Sequence, residues 1–224
     1  MRREIPEKSE KSVKKSIGPG IPKNIKKAGV KHIWKPGAML FPLPVVMITS
    51  MDKHGCPNIC TVAWTGTICS DPPMLSISLR KERYSHSLIS GSREFVVNVP
   101  SVKEIRSTDY CGVASGRDVD KFEATGLTPA PASVVKTPLI LECPLNLECM
   151  VKRTLELGSH TMFIAEVVAV QVNAGLMTPS GRLALEKAGL AAFAHGGYYA
   201  LGKKLGFFGY SVQKKKVNRK RKGS

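Results

Sequence analysis

In the stretch SISLRKERYSHSLI, residues 76–89, the side chains of Arg80, Lys81, Arg83 and Ser85 have the types and spacing to hold an anion. Three cations lie just ahead of a hydroxyl. If Ser85 opens a helix, unpaired backbone N–H groups and the positive end of the helix dipole converge on the same place. That combination suits a phosphate, whose oxygens accept charge-assisted hydrogen bonds. The elements that would position these groups are legible around them. Leu75, Ile77 and Leu79 alternate with Ser76, Ser78 and Arg80, the period-two pattern of a half-buried strand whose polar face ends in a cation. After a charged turn, Ser85 is the expected N-cap of a short helix that stops at Gly91. The same residues also describe an exposed turn with solvated cations and an ordinary capping serine, so other parts of the chain must decide.

At 224 residues the chain suits one all-β or barrel domain with appendages, and its 42% hydrophobic content is enough for a core. The formal net charge of +17 is unevenly placed. Residues 1–36 hold 11 Lys and Arg against 3 acids, residues 200–224 hold 9 and none, and the 14 of each sign between them cancel. Both ends lack apolar periodicity. The first, rich in Lys, Ser, Pro and Gly, reads as a flexible basic arm over residues 1–33; the last, residues 211–224, ends in the charge run QKKKVNRKRKGS. Such runs are solvated arms or contacts for nucleic acid or another polyanion. No apolar run of signal-peptide length follows the basic start and no stretch is long enough to span a membrane, so a cytoplasmic protein with no membrane partner is expected.

Cys56, Cys60, Cys69, Cys111, Cys143 and Cys149 form no C-x2-C pair and have no nearby His pair, so no metal site is expected. In a reducing compartment they default to free thiols, several buried as small hydrophobes. Cys60 falls in a strand near the proposed site, within reach of a ligand.

Taken in order, Val45 to Thr49 and Asn58 to Trp64 read as two strands of a hairpin around the turn Asp52–Gly55. Ser70–Pro73 turns into the strand Met74–Arg80, and Phe95–Val99 is a fourth strand ended by Pro100. Val102 to Cys111 reads as a short helix, and residues 112–138 as mostly loop with a helical turn around Asp120–Glu123. CPLNLECMVKRTLEL and TMFIAEVVAVQVN are strands joined by a turn at Gly158, Ser159 and His160. SGRLALEKAGLA has helical composition bounded by Gly181 and Gly189. Many short strands with few helices predict a mainly β fold, a closed or partly closed antiparallel barrel over residues 34–210.

The pieces PLPVVMITSMDKHGCPNICTVAW, SDPPMLSISLRKERYSHSLI, EFVVNVP, SGRDVDKFEATGLT, ECPLNLEC and GSHTMFIAEVV, in that order, resemble the flavin reductase-like proteins with the FMN-binding split β-barrel, a Greek-key type. GGYYALGKKLGFFGYS resembles the flavoredoxin-like branch. The resemblance implies a homodimer that holds FMN in a groove near the subunit interface. Arg80, Lys81, Arg83 and Ser85 would then hold the phosphate, with Ser78 beside them on the polar face of the strand. Asn58 and Thr61 would meet the polar edge of the flavin, and Trp64 would supply a flat wall or an N–H donor. Lys121 in SGRDVDKFE falls where the family supplies a lysine, and His160 in GSHTMF where it has a histidine. A cation near the pyrimidine edge would stabilise the reduced ring, and an imidazole there would donate a hydrogen bond or transfer a proton. Otherwise Lys121 is a surface residue paired with Asp118 or Asp120. Phe193, near Tyr198 and Tyr199, would cover the ring or pack in the core.

Flavin supplies the redox chemistry, so the protein's share is binding, orientation and tuning. No G-x-G-x-x-G turn joins a strand to a helix, so NADH or NADPH, if used, would stack directly over the flavin. An FMN oxidoreductase is therefore expected, either an NAD(P)H-dependent flavin reductase or a carrier between redox partner proteins. The alternative is a polyanion-binding protein that works through its basic ends.

Overall fold

The computed structural model describes residues 31–213, and those from Met39 onward form one compact unit. Of the basic ends assigned to polyanion contact, 1–33 and 211–224, residues 1–30 and 214–224 lie outside the described ones. After the two-residue strand β1 (Leu43–Pro44), the apolar run VMITSM forms β2 (Val46–Met51), which turns through Asp52–Cys56 into β3 (Pro57–Val62). The Asp52 carboxylate fixes that turn by accepting from the backbone N–H groups of His54 and Cys56, both at 2.8 Å. β4 (Thr65–Ser70) and β5 (Pro73–Arg80) form a second hairpin, helix α1 (Tyr84–Ser92) follows, and β6 (Glu94–Val99) returns to the sheet. Helices α2 (Ile105–Val113) and α3 (Lys121–Thr125) and the short strands β7 (Pro129–Ala130) and β8 (Leu139–Ile140) precede the long hairpin β9 (Leu145–Leu157) and β10 (His160–Val172). Strands β11 (Ala191–Ala194) and β12 (Gly197–Ala200) complete the set.

The principal sheet has seven strands in the order β3-β2-β6-β9-β10-β5-β4, antiparallel throughout. Its two edges, β3 and β4, are consecutive in the chain and separated only by Ala63 and Trp64. Laid flat, a sheet with seven strands at ~4.8 Å spacing would hold its edges ~29 Å apart, whereas this link spans at most ~11 Å. The sheet therefore curls until its edges approach at that link without pairing, which makes it the expected barrel in its partly closed form. Its interior is filled by Ile48, Cys60, Ile77, Phe95, Cys149 and Phe163, with Ile89 of α1 packed among them. On the outer face, Met47, Ile59 and Ile140 pack against Cys111 of α2 and Phe122 of α3. β11 and β12 join β1 in a small separate sheet.

The structure corrects several expectations. The helix after β5 begins two residues early: Arg83, in extended conformation, is its N-cap, and Ser85 lies inside the first turn without capping it. The helix also passes through Gly91 and ends at Arg93, whose φ of 61° gives a left-handed stop. The second strand ends at Val62, and Trp64 belongs to the link between sheet edges. β4 was not expected, because TGTICS lacks apolar alternation; it forms on the template of β5, with both faces largely open. SGRLALEKAGLA is not a helix beyond one 3-10 turn at Leu185–Lys187, since Gly181 and Gly189 hold positive φ and break it on both sides.

Candidate functional site

Two adjoining cavities open at the top of β3 and β5. The first, of about 270 Å³, is lined by Asn58, Cys60, Arg80, Glu82, Arg83, Tyr84, Ser85, Lys121 and the loop Ala114, Ser115 and Gly116. The second, of about 320 Å³, is lined by Thr61, Trp64, Ser78, Asp109, Val113, His160, Phe193 and Tyr198, among others. Cys60, Arg80 and Arg83 belong to both. One end is therefore cationic and the other aromatic.

At the cationic end, the chain ahead of α1 delivers Arg83 and the first helical turn delivers Ser85, whose hydroxyl meets Ser50 Oγ at 3.2 Å and accepts from Asn58 Nδ2 at 2.8 Å. Lys121 opens α3, which Asp120 caps by accepting from the N–H groups of Phe122 and Glu123. With Asp120 so engaged, Lys121 turns inward and is buried, which excludes the surface pairing with Asp118 or Asp120. Its Nζ donates to Ile59 O at 2.7 Å and Cys111 O at 2.8 Å, tying α3 and α2 to β3. An ammonium has three donors, so one remains for the cavity. Among the described residues no carboxylate pairs with Lys121 or Arg83. Burial pushes the lysine pKa down, and a buried cation without a counter-ion is costly until an anion arrives. Burial raises the Cys60 thiol, with Lys121 and Arg83 opposing, so it is a neutral wall rather than a thiolate.

At the aromatic end, His160 faces Arg80 across the β5–β10 ladder, and its ring stacks on Trp64 with centroids 6.3 Å apart and planes 10° from parallel. Ser159 Oγ meets His160 Nδ1 at 2.8 Å. The backbone carbonyl of Trp64 accepts from the Ser78 N–H at 2.9 Å. Thr61 donates to Thr108 O, which spends its hydroxyl on α2 rather than on the cavity. Phe193 packs edge-on against Tyr198 at 5.6 Å, and Tyr198 donates to Asp109 Oδ1 at 2.9 Å. Burial and then Asp109 raise the tyrosine to about 12, so the phenol stays protonated.

Ten of the residues singled out from the sequence thus line one cavity or the other. Lys81 lines neither; its ammonium pairs with Glu156 on the exposed surface. Arg80 reaches the site but shares its charge with Glu82 at 3.2 Å. The sequence did not single out Asp109, Tyr84, Ser50 or Gly116. Gly116 sits inside the quoted SGRDVDKFE piece, and the others carry no local signal.

Shape and charge fit a flat ring joined to an anionic tail. The chain belongs to the flavin reductase like domain family, whose model matches residues 38–202. It is similar to the flavoredoxin of Desulfovibrio vulgaris (Miyazaki F), with 32% identity and a TM-score of 0.77 over 82% of this chain and all of that one. A protein of Archaeoglobus fulgidus is 37% identical over 131 residues, 58% of this chain and 73% of its own. The reductase component of the 4-nitrophenol 4-monooxygenase/4-nitrocatechol 2-monooxygenase of Rhodococcus opacus is 28% identical over 130 residues, 58% of this chain and 66% of its own. The fold is accordingly mainly β, a split barrel of the flavin reductase and flavoredoxin kind. No helix among the described residues is long and apolar enough to cross a membrane.

Proposed function

We propose that the protein is an FMN-dependent oxidoreductase that works as a homodimer and reduces its flavin with NADH or NADPH. The observation that carries this reading is the buried Lys121 ammonium, without a carboxylate partner among the described residues, at the cationic end of a cavity pair whose other end is aromatic.

Bound FMN would supply two-electron chemistry, accepting a hydride and passing the electrons on. Arg83, Arg80 and Ser85 bind the phosphate, which carries close to two negative charges at neutral pH. Lys121 and Asn58 line the same cationic cavity, where the lysine's remaining N–H would favour negative charge on the reduced cofactor and so raise its reduction potential. Trp64 and His160 form a paired aromatic wall, and Phe193 with Tyr198 faces the same cavity from the small sheet. The His160 imidazole, oriented by Ser159, is the group placed to hold or move a proton.

The test is the visible spectrum of the purified, dialysed protein, followed by anaerobic titration with NADH and NADPH. The expected result is a yellow protein with one FMN per chain that either nucleotide bleaches. Bound FMN that neither nucleotide reduces at a useful rate would instead make the protein a carrier fed by another redox protein, in line with the flavoredoxin similarity. A colourless protein that fails to take up added FMN would end the reading.

A further inference from the structure

Behind the cationic cavity a polar chain runs from Ser50 to Ser85 and Asn58, and the last two of these line the cavity. Ser50, fully buried at the end of β2, has one side-chain hydrogen bond, to Ser85 Oγ at 3.2 Å. Asn58 Nδ2 donates to the same oxygen at 2.8 Å, and both Asn58 and Ser85 are more than nine-tenths buried. A serine oxygen accepts two hydrogen bonds and donates one. With Ser50 and Asn58 filling both acceptor positions, the Ser85 proton is left to donate, and Ser85 lines the cavity beside Arg83 and Lys121.

The arrangement holds only if the Asn58 amide keeps its orientation, and Gly116 presses directly on it. A Cβ on Gly116 would come within 2.6 Å of Asn58 Cγ and closer still to Oδ1, contacts that real side chains do not make. Any side chain there must push the amide aside, and the Ser85 oxygen then loses one donor.

Resting on the FMN reading above, we propose that Ser50 and Gly116 are positioning residues that lock the Ser85 hydroxyl as a donor, so that the cavity selects an acceptor-only end group, the phosphate dianion. A dianion can use every donor there, while Glu82, the one carboxylate among the described residues of the lining, is paired with Arg80 at 3.2 Å. A monoanion carries an O–H of its own that finds no free acceptor on Ser85.

The experiment compares FMN with riboflavin, which has the same ring and no phosphate, for the wild type, Gly116→Ala and Ser50→Ala. In the wild type FMN should bind at least tenfold more tightly than riboflavin, and its affinity should rise as pH passes through about 6, where the phosphate loses its second proton. Gly116→Ala should shrink the FMN-to-riboflavin preference at least fivefold. Ser50→Ala should shrink it about threefold and flatten the rise near pH 6, a change that a merely structural role would not produce. Should Gly116→Ala fail to fold, the pH profile of Ser50→Ala decides alone. A wild-type preference and pH profile retained in the variants overturn this inference and leave the FMN reading standing. A wild type that binds neither flavin overturns both.

Discussion

Trp64, just before β4, and His160, the first residue of β10, flank the same end of β5 and lie with rings 10° from parallel and centroids 6.3 Å apart. Such a pair presents a flat edge to a planar ligand. Trp64 is one of two tryptophans in the chain, the other being Trp34. Flavin binding should therefore quench the emission of the wild type strongly and that of Trp64→Phe much less. Trp64→Ala should lower FMN affinity about tenfold, or about 1.4 kcal/mol. Equal quenching in the wild type and Trp64→Phe would place the ring elsewhere.

Lys121 predicts an alkaline limit to binding. Burial lowers its pKa below the ordinary 10.5, so the folded, ligand-free protein releases this proton earlier than the unfolded chain does. FMN favours the protonated form. Affinity should accordingly fall as pH rises through the lowered value, below 10.5. Without ligand, the stability of the fold should rise over that same window, because the unfolded chain still holds the proton. Lys121→Met should weaken FMN at neutral pH by at least tenfold and abolish the alkaline fall, read by fluorescence titration from pH 7 to 10.

Glu148 predicts an acid limit to stability. Its fully buried carboxylate accepts from Ser133 N and Oγ, Val134 N, Val135 N and Gln171 Nε2, all within 3.1 Å. Burial alone would raise its pKa, but the side-chain bonds from Ser133 and Gln171 and the backbone bonds outweigh it and bring the group to about 2. A depressed carboxylate stabilises the fold above the unfolded value of 4.5 and loses that contribution as pH falls towards 2. Glu148→Gln must turn an amide towards at least one of these donors, at a cost of about 2 kcal/mol. Urea unfolding at pH 7 should register that loss, and the variant's stability should fall less steeply between pH 4.5 and 2.

The barrel was legible because its inward residues alternate, as Leu75, Ile77 and Leu79 do. The cationic end was legible because Arg80 to Ser85 are neighbours in the chain. Ser85 itself was misread in a telling way: a serine at a helix start suggests a cap, but a start at Tyr84 turns its hydroxyl onto Ser50 and Asn58, contacts that no local pattern encodes. Lys121 pairs with backbone carbonyls, and backbone leaves no trace in residue types. Tyr198 and Asp109 meet across 89 positions of chain, so only the folded barrel brings them together. β4 was invisible because an edge strand open on both faces needs no apolar alternation, only a partner.

The two-residue link at Ala63 and Trp64 gives the molecule a mechanical character. Hydrogen-bonded ladders can fray and re-form, but β3 and β4, which share no ladder, are joined by a covalent tether that cannot stretch. Thermal breathing at that seam is capped by the length of the chain itself. The aromatic wall at Trp64 thus rides on a short link that cannot lengthen, and the flanking strands must take up whatever movement a ligand's arrival and departure require.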